Sequence, residues 1–591
     1  MKQESADKKK AKILLLFALI TIAFVIFVAI LLYWAQIDRK LPRLQTSESS
    51  TALRGDIISS DGFTIARSQK LYKAMVDTRN INKDKKDIFV KLYSLYSKDD
   101  PKRVENLITK YSGNVVLSYQ INSKEAKHLE ELASNLIRLG VFVSFEDPKS
   151  GLAYLRGLSI VESGESRTYP YKDLLSPIVG YVKKIEEGNI TKVEGVKGVE
   201  RYYQDYFKPI QDSLLIAPRD VANSSILNRY SKVKRRIDGY SAELSVSLKL
   251  QKMVEKTIDN YATELNAKEI IVGVMDAQSS QMLLLASSRR FNPNKIERRD
   301  YPSLNASATE YVFEPGSVMK TIMFSLLLKE GQVNPYDLIR TYGGEYKLGK
   351  HTIKDTRKLE EWISAEDAIA YSSNVGSAQL AQKLDSIAFY QGLKDFGFAS
   401  KSGIELPYEN VGNIPSLQRF NSEIYKATVG YGYGMRANFM QILKAYNVFN
   451  NNGRLVQPKL VKNFIGNDGQ KHQFEQEEPK QVITPAIAKR VKRVLIKAVQ
   501  KGTGKNAYVE GLEIGGKTGT AHIAKDGGYA NIYNGSFFGF VNDGKSSYTI
   551  GVLSREPKKA YHYFGSQSAA PIFKEVVNIL VEEGYLTPQK N

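Results

Sequence analysis

Between Ile13 and Trp34 the chain runs for 22 residues, "ILLLFALITIAFVIFVAILLYW", without a charge. As an α-helix this segment would be about 33 Å long, enough to cross the hydrocarbon core of a bilayer. It is apolar around its whole circumference, a pattern that a helix on a soluble surface does not tolerate. Lys2, Lys8, Lys9, Lys10 and Lys12 precede it, against Glu4 and Asp7. Positive charge stays on the cytoplasmic side, so the chain beyond Gln36 is expected outside the cytoplasm. A cleaved signal peptide is the alternative, with an apolar region of roughly 7–15 residues and a small-x-small cleavage site. The run here is longer and ends "LLYWAQIDRK", which favours an uncleaved single-pass anchor with Tyr33 and Trp34 at the outer interface.

The 591 residues allow two to four domains, and 42% hydrophobic residues supply a large core. The absence of cysteine excludes disulfides, cysteine-ligated zinc and thiol catalysis. A formal charge of +21 suits a lysine-rich solvated surface, or contact with nucleic acid, anionic lipid or an anionic polymer. The basic residues are dispersed, and no nucleic-acid-binding signature accompanies them. His128, His351, His472, His522 and His562 have no metal-ligand spacing, and His351 and His522 are at most neighbours of a site.

Residues 36–240 read as an α/β region, with short strands such as "LYKAMVD" and helices such as "KEAKHLEELASNLIRLG". The basic stretch "NRYSKVKRRIDGYS" precedes a change of texture near 241. Beyond it, "LSVSLKLQKMVEKTIDNYATEL" reads as a strand leading into an amphipathic helix, and "EIIVGVMDAQSSQMLLLASS" as an antiparallel hairpin. "GSFFGFV" and "SYTIGVLS" form a second strand pair, and the last helix is expected over 570–583. The fold class is α+β: an antiparallel sheet assembled from both ends of the second domain, with helices between. The expected organisation is a basic cytoplasmic tail (1–12), an anchor (13–35), an elongated extracytoplasmic pedestal (36–240) and a catalytic domain (241–591).

Three short motifs follow one another in that last domain. In "FEPGSVMKTIMFSLLLKEG", Ser317 opens a buried helix and Lys320 lies one turn later on the same face. A serine hydroxyl needs a base, and a desolvated lysine can be one. The helix amino terminus adds N–H groups for a developing negative charge. "YSSNVG" carries Ser372 and Asn374 after a helix capped by Ser364 and Asp367, and also fits an ordinary helix–helix turn. "GLEIGGKTGTA" contains Lys517, Thr518, Gly519 and Thr520, and its G-x-x-x-x-G-K-T pattern matches a nucleotide-phosphate loop. Such a loop needs a helix directly after Lys-Thr. Here glycines and an apolar strand follow, and the anchor places the motif away from ATP, so no nucleotide is expected. Read as a strand, 514–520 aligns a cation and two hydroxyls along an edge that could accept a peptide as an added strand.

S-x-x-K, S-x-N 55 positions later and K-T-G 145 positions after that together resemble the penicillin-recognising acyl-serine enzymes. "SLKLQ", "RRFNPN", "FEPGS", "GTGKNA" and "GGKTGTA" are similar to the transpeptidase domain of class B penicillin-binding proteins. "LRGDIISSDGFTIARS", "SRTYPY" and "GVKGVERYYQDYF" resemble the three pedestal motifs of that class. The chain departs from the family at Ser59-Ser60-Asp61-Gly62, where D-R-N-G is usual, and at Tyr171-Lys172, where a glycine often follows R-x-Y-P.

The resemblance implies a D,D-transpeptidase acting on peptidoglycan stem peptides. Ser317 would attack the carbonyl between the terminal D-alanines and Lys320 would take its proton. Ser372 with Lys517 would relay a proton to the leaving D-alanine, while Asn374 would hold the peptide amide and orient Lys320. Backbone N–H groups of Ser317 and Thr520 would form the oxyanion hole, and Thr518 and Thr520 would bind the terminal carboxylate beside Gly519. No metal or organic cofactor would be needed, and β-lactams would acylate Ser317. "FEPGS" and "SSNVG" look more like the septal, division-type branch than the elongation branch. Members of that branch work beside a SEDS-family glycosyltransferase and other division proteins in the inner membrane. A β-lactamase, a β-lactam sensor and a non-catalytic division scaffold are the rival readings. The first lacks an evident deacylation glutamate, and the second lacks further spans or a signalling domain.

Overall fold

The computed structural model describes residues 2–36, 45–146, 148, 151, 153–187, 190–220, 225–473, 477–525 and 528–589. Its chain forms two compact units. The first contains the helix Lys2–Gln36, of which Lys9–Gln36 is exposed and is long and apolar enough to cross a membrane. The same unit holds a three-stranded antiparallel sheet of Gln45–Ser50, Ser213–Pro218 and Lys232–Lys234.

The second unit takes in the rest. Its larger sheet has nine strands drawn from distant parts of the chain. Ser241–Leu244 pairs in parallel with Ile57–Ile58 and antiparallel with Val461–Ile465, so residues on both sides of 241 share one sheet. "LYKAMVD" is the end of a 14-residue strand, Thr64–Asp77, longer than the short strand read from the sequence. Pairing with Asn114–Asn122 on one side and Leu158–Thr168 on the other extends it, a non-local effect.

Three charged side chains from the pedestal motifs meet under this sheet. Glu200 receives Arg167 Nε at 2.7 Å and Arg54 Nε at 2.8 Å, and Arg54 also donates to Glu200 O at 2.7 Å. All three side chains are buried. Burial pushes the Glu200 carboxyl up, but Arg167 and Arg54 outweigh it and hold the carboxyl below its ordinary range. The departures from the family pattern also have structural roles. Asp61 accepts from Leu248 N at 2.9 Å and Lys249 N at 3.0 Å, capping the helix Leu248–Glu264 from the pedestal side. Lys172 adopts φ = 56°, the left-handed conformation that glycine takes most easily.

The second sheet has five antiparallel strands in the order Met282–Ser287, Glu269–Asp276, Ser547–Arg555, Gly528–Asn542, Glu513–Lys525. Both ends of the domain contribute, as the sequence predicts. Alternation along the strands separates two cores. Ile270, Val272 and Val274 pack with the helices Leu248–Glu264 and Gly565–Glu582. Ile271 and Met275 face the opposite core, which contains Phe439, Leu443 and the helix Met319–Lys329 that follows Ser317. The last helix begins at Gly565, five residues before the start read from the sequence. Its first turn is fixed by a tertiary contact, Gly565 N donating to Thr520 Oγ1 at 3.0 Å.

Candidate active site

Ser317 sits in a 3₁₀ turn, Gly316–Val318, that runs straight into the helix Met319–Lys329. That helix is buried from Met319 to Leu328, so its position is fixed by packing. Tyr446 anchors the turn by donating to Val318 O at 2.7 Å. Gly316 has φ = 64°, and a side chain there would lie 2.9 Å from Thr520 O. A side chain at Gly519 would meet Ser536 Oγ at 2.4 Å and Pro315 O at 3.0 Å. The serine turn and the strand carrying Lys517 therefore pack backbone against backbone.

Glu513–Lys525 is the edge strand of its sheet. No helix follows Lys517-Thr518, so the loop that a nucleotide phosphate requires is absent. Ser372 ends the turn before the helix Asn374–Lys383, with φ = 64° in a non-glycine residue. Such backbone costs of order 1–3 kcal/mol and persists where its surroundings impose it.

These three segments bring Ser317, Ser372, Asn374, Thr518 and Thr520 to one cleft of about 410 Å³. Lys320 and Lys517 lie behind these groups, both fully buried. Lys320 Nζ donates to Asn374 Oδ1 at 2.7 Å and Ser372 O at 2.8 Å, with Ser372 Oγ at 3.3 Å. Burial lowers its pKa to about 7, against a small opposing pull from Asp355. A lysine at that pKa is half neutral near physiological pH and able to accept a proton. Lys517 Nζ donates to Thr518 O at 3.1 Å. Burial, followed by the charges of Lys320 and Arg357, holds Lys517 well below an ordinary lysine. These surroundings disfavour the charged form of Lys517, and a nearby anion would favour it.

Other residues in and around the cleft lie outside the three catalytic-type motifs. Asp355 accepts from Asn374 N, from Val375 N at 3.0 Å and from Ser373 Oγ at 2.8 Å, fixing the turn that presents Ser372 and Asn374. Thr503 and Thr518 share a hydroxyl–hydroxyl bond of 2.8 Å. Tyr433 OH donates to Thr520 O at 3.4 Å and accepts from His522 N at 3.3 Å. His522 lines the cleft, whereas His351 lies on an exposed strand outside its lining. Only the "GTGKNA" resemblance pointed toward Thr503; Asp355 and Tyr433 had no local signal. Among the described residues no group of three or more His, Asp or Glu side chains is arranged to hold a metal.

The matches to known proteins agree with this architecture. Residues 270–578 match the penicillin binding protein transpeptidase domain and residues 49–241 the penicillin-binding protein dimerisation domain. Stage V sporulation protein D of Bacillus subtilis is 28% identical over 506 residues, 83% of this chain and 76% of the relative. The probable peptidoglycan D,D-transpeptidase PenA of Neisseria flavescens is 28% identical over 389 residues, 65% of this chain and 93% of the relative. Penicillin binding protein 2X of Streptococcus thermophilus superposes with a TM-score of 0.75 at 20% identity, covering 91% of this chain and 81% of that one. Penicillin binding protein 3 of Mycobacterium tuberculosis, complexed with aztreonam, gives 0.66 at 20% identity over 92% and 98% of the two chains. The chain belongs to the penicillin-binding protein transpeptidase family, and the order of its two matched domains makes it a class B member.

Proposed function

We propose that the chain is a membrane-anchored serine D,D-transpeptidase that cross-links peptidoglycan stem peptides during septal wall synthesis. The observation that carries the chemistry is Lys320: fully buried, lowered to about pKa 7 and held by Ser372 and Asn374 one helical turn from Ser317. A neutral amine has two N–H donors and one lone pair. The short bonds to Ser372 O and Asn374 Oδ1 use both donors, leaving the lone pair for a hydroxyl proton.

Ser317 Oγ attacks the carbonyl between the two terminal D-alanines as its proton passes to Lys320. The tetrahedral oxyanion is received by the backbone N–H groups of Ser317 and Thr520. As the C–N bond breaks, Ser372 passes a proton, drawn from the Lys320–Lys517 pair, to the departing D-alanine amine. The acyl group remains as an ester on Ser317. An amine of a second stem peptide then attacks the ester, loses its proton through the same relay and restores the serine. Thr518 and Thr520 hold the terminal carboxylate, with Gly519 letting their strand pack closely against the serine turn. A β-lactam follows the first half of this course and stays on Ser317.

The helix Lys9–Gln36 and the lysines before it support a single-pass anchor with the catalytic domain outside the cytoplasm. "FEPGS" and "SSNVG" support the septal role, beside a SEDS-family glycosyltransferase and other division proteins. Labelling with a fluorescent penicillin tests the nucleophile: wild type is labelled and Ser317→Ala is not. Equal labelling of both sinks the assignment. A fluorescent fusion at midcell supports the septal role; one along the side wall assigns the chain to elongation.

A further inference from the structure

Beside the cleft lies a surface that this chemistry does not use. Leu338–Arg340 and Trp362–Ser364 form an antiparallel ribbon in which Arg340 stands opposite Trp362. One face is buried through Ile339 and Ile363. The other exposes Leu338 (69%) and Trp362 (54%), with Arg340 between them, and Tyr342 (44%) follows two residues on. The side chains form an ordered assembly. The Arg340 guanidinium lies 5.0 Å from the centre of the Tyr342 ring and 5.9 Å from that of Trp362. Tyr342 stacks on Tyr346 at 5.4 Å, and Glu361 accepts from Arg340 Nε at 2.6 Å. The result is a preassembled aromatic shelf carrying one cation and one carboxylate.

The shelf and the cleft are built on one frame. Gln379 donates Nε2 to Arg340 O at 2.8 Å from the same helix whose first residue is Asn374. Five residues of helix separate them, about 7.5 Å along its axis. On the other side Asp355 N donates to Gly344 O at 2.9 Å, two residues from Tyr342, while Thr356 lines the cleft.

We propose that this shelf binds the sugar strand from which the stem peptide hangs. Pyranose rings would lie against Trp362 and Tyr342, and Arg340 and Glu361 would bond the sugar amide and hydroxyl groups. The proposal rests on the reading of the cleft as a stem-peptide site. An extended peptide advances roughly 3.3–3.6 Å per residue, so a stem of three residues or more covers the roughly 7.5 Å of helix axis between Asn374 and Gln379. Amphipathic Trp and Tyr rings suit a ligand with apolar ring faces and polar edges. A protein partner would enclose the Arg340–Glu361 pair, whose desolvation is costly, whereas a sugar leaves that pair in contact with water.

The chain has two tryptophans, Trp34 and Trp362, so in a Trp34→Phe background the emission reports the shelf. The detergent-solubilised full chain is titrated with glycan strands freed of peptides by an amidase. A saturable shift or quench of Trp362 emission is expected. It should weaken at least tenfold when Tyr342→Ala is added, with an unchanged thermal midpoint as the check of folding. Fluorescent penicillin labelling of the same preparation reads Ser317 without any sugar. Intact labelling with a flat titration, or a titration indifferent to Tyr342→Ala, overturns the shelf and leaves the cleft reading standing. Loss of labelling overturns both.

Discussion

The pKa of Lys320 gives the proposed mechanism its most direct test. An ordinary lysine at 10.5 is neutral in about one molecule in 3,000 at pH 7. Burial brings Lys320 to about 7, where half is neutral. The shift raises the population of the base form about 1,600-fold and corresponds to roughly 5 kcal/mol against the charged form. Because the folded pKa is lowered, the neutral base is present above about pH 7 and is lost as pH falls. The rate of acylation by a fluorescent penicillin should therefore be flat above about pH 8. It should drop about 90-fold between pH 8 and pH 5, approaching tenfold per unit. Asp355 is the one named charge that pulls Lys320 back up. Asp355→Asn preserves an oxygen for the N–H groups of Asn374 and Val375, removes that pull and should move the break to lower pH. Acylation that does not change between pH 5 and 8 would refute the reasoning. So would a break near 10, or one that Asp355→Asn leaves in place or moves upward.

Two further predictions concern buried charge. Lys517 is held toward neutrality by burial and by Lys320 and Arg357, so a carboxylate entering the cleft should bring a proton with it. Calorimetry of a carboxylate-bearing peptide binding to Ser317→Ala, in two buffers of different ionisation enthalpy, should show net proton uptake, and buffer-independent heats would count against it. Glu200 is the shared partner of Arg54 and Arg167. Removing it by Glu200→Ala strips two buried guanidinium groups of the carboxylate they share, with Glu165 still near both, and should cost about 3–5 kcal/mol, read from denaturant unfolding, while Glu200→Gln should cost less; a loss under about 1 kcal/mol from the alanine variant would count against the network as a source of stability.

Much of the architecture was legible because its signals are local. A 22-residue uncharged run marks the apolar helix, period-2 runs mark the sheet strands and one helical turn separates Ser317 from Lys320. The glycines and apolar strand after Thr520, together with the placement expected from the anchor, argued against the nucleotide-loop reading. Where sequence reading fell short, the missing information was non-local. Thr64–Asp77 is long because two distant strands pair with it, and the last helix starts at Gly565 because Thr520 accepts its first N–H.

The same division holds for the chemistry. The sequence by itself determined which side chains are available: a serine and lysine on one helical turn, a Ser-x-Asn turn, and a lysine flanked by glycines and threonines. Tertiary structure alone decided what those groups are. It brought residues 55 and 145 positions apart to one cleft and drew in Asp355, Thr503 and Tyr433. It also lowers the pKa of both lysines, because desolvation and charge coupling depend on everything packed around an ammonium and not on its neighbours along the chain.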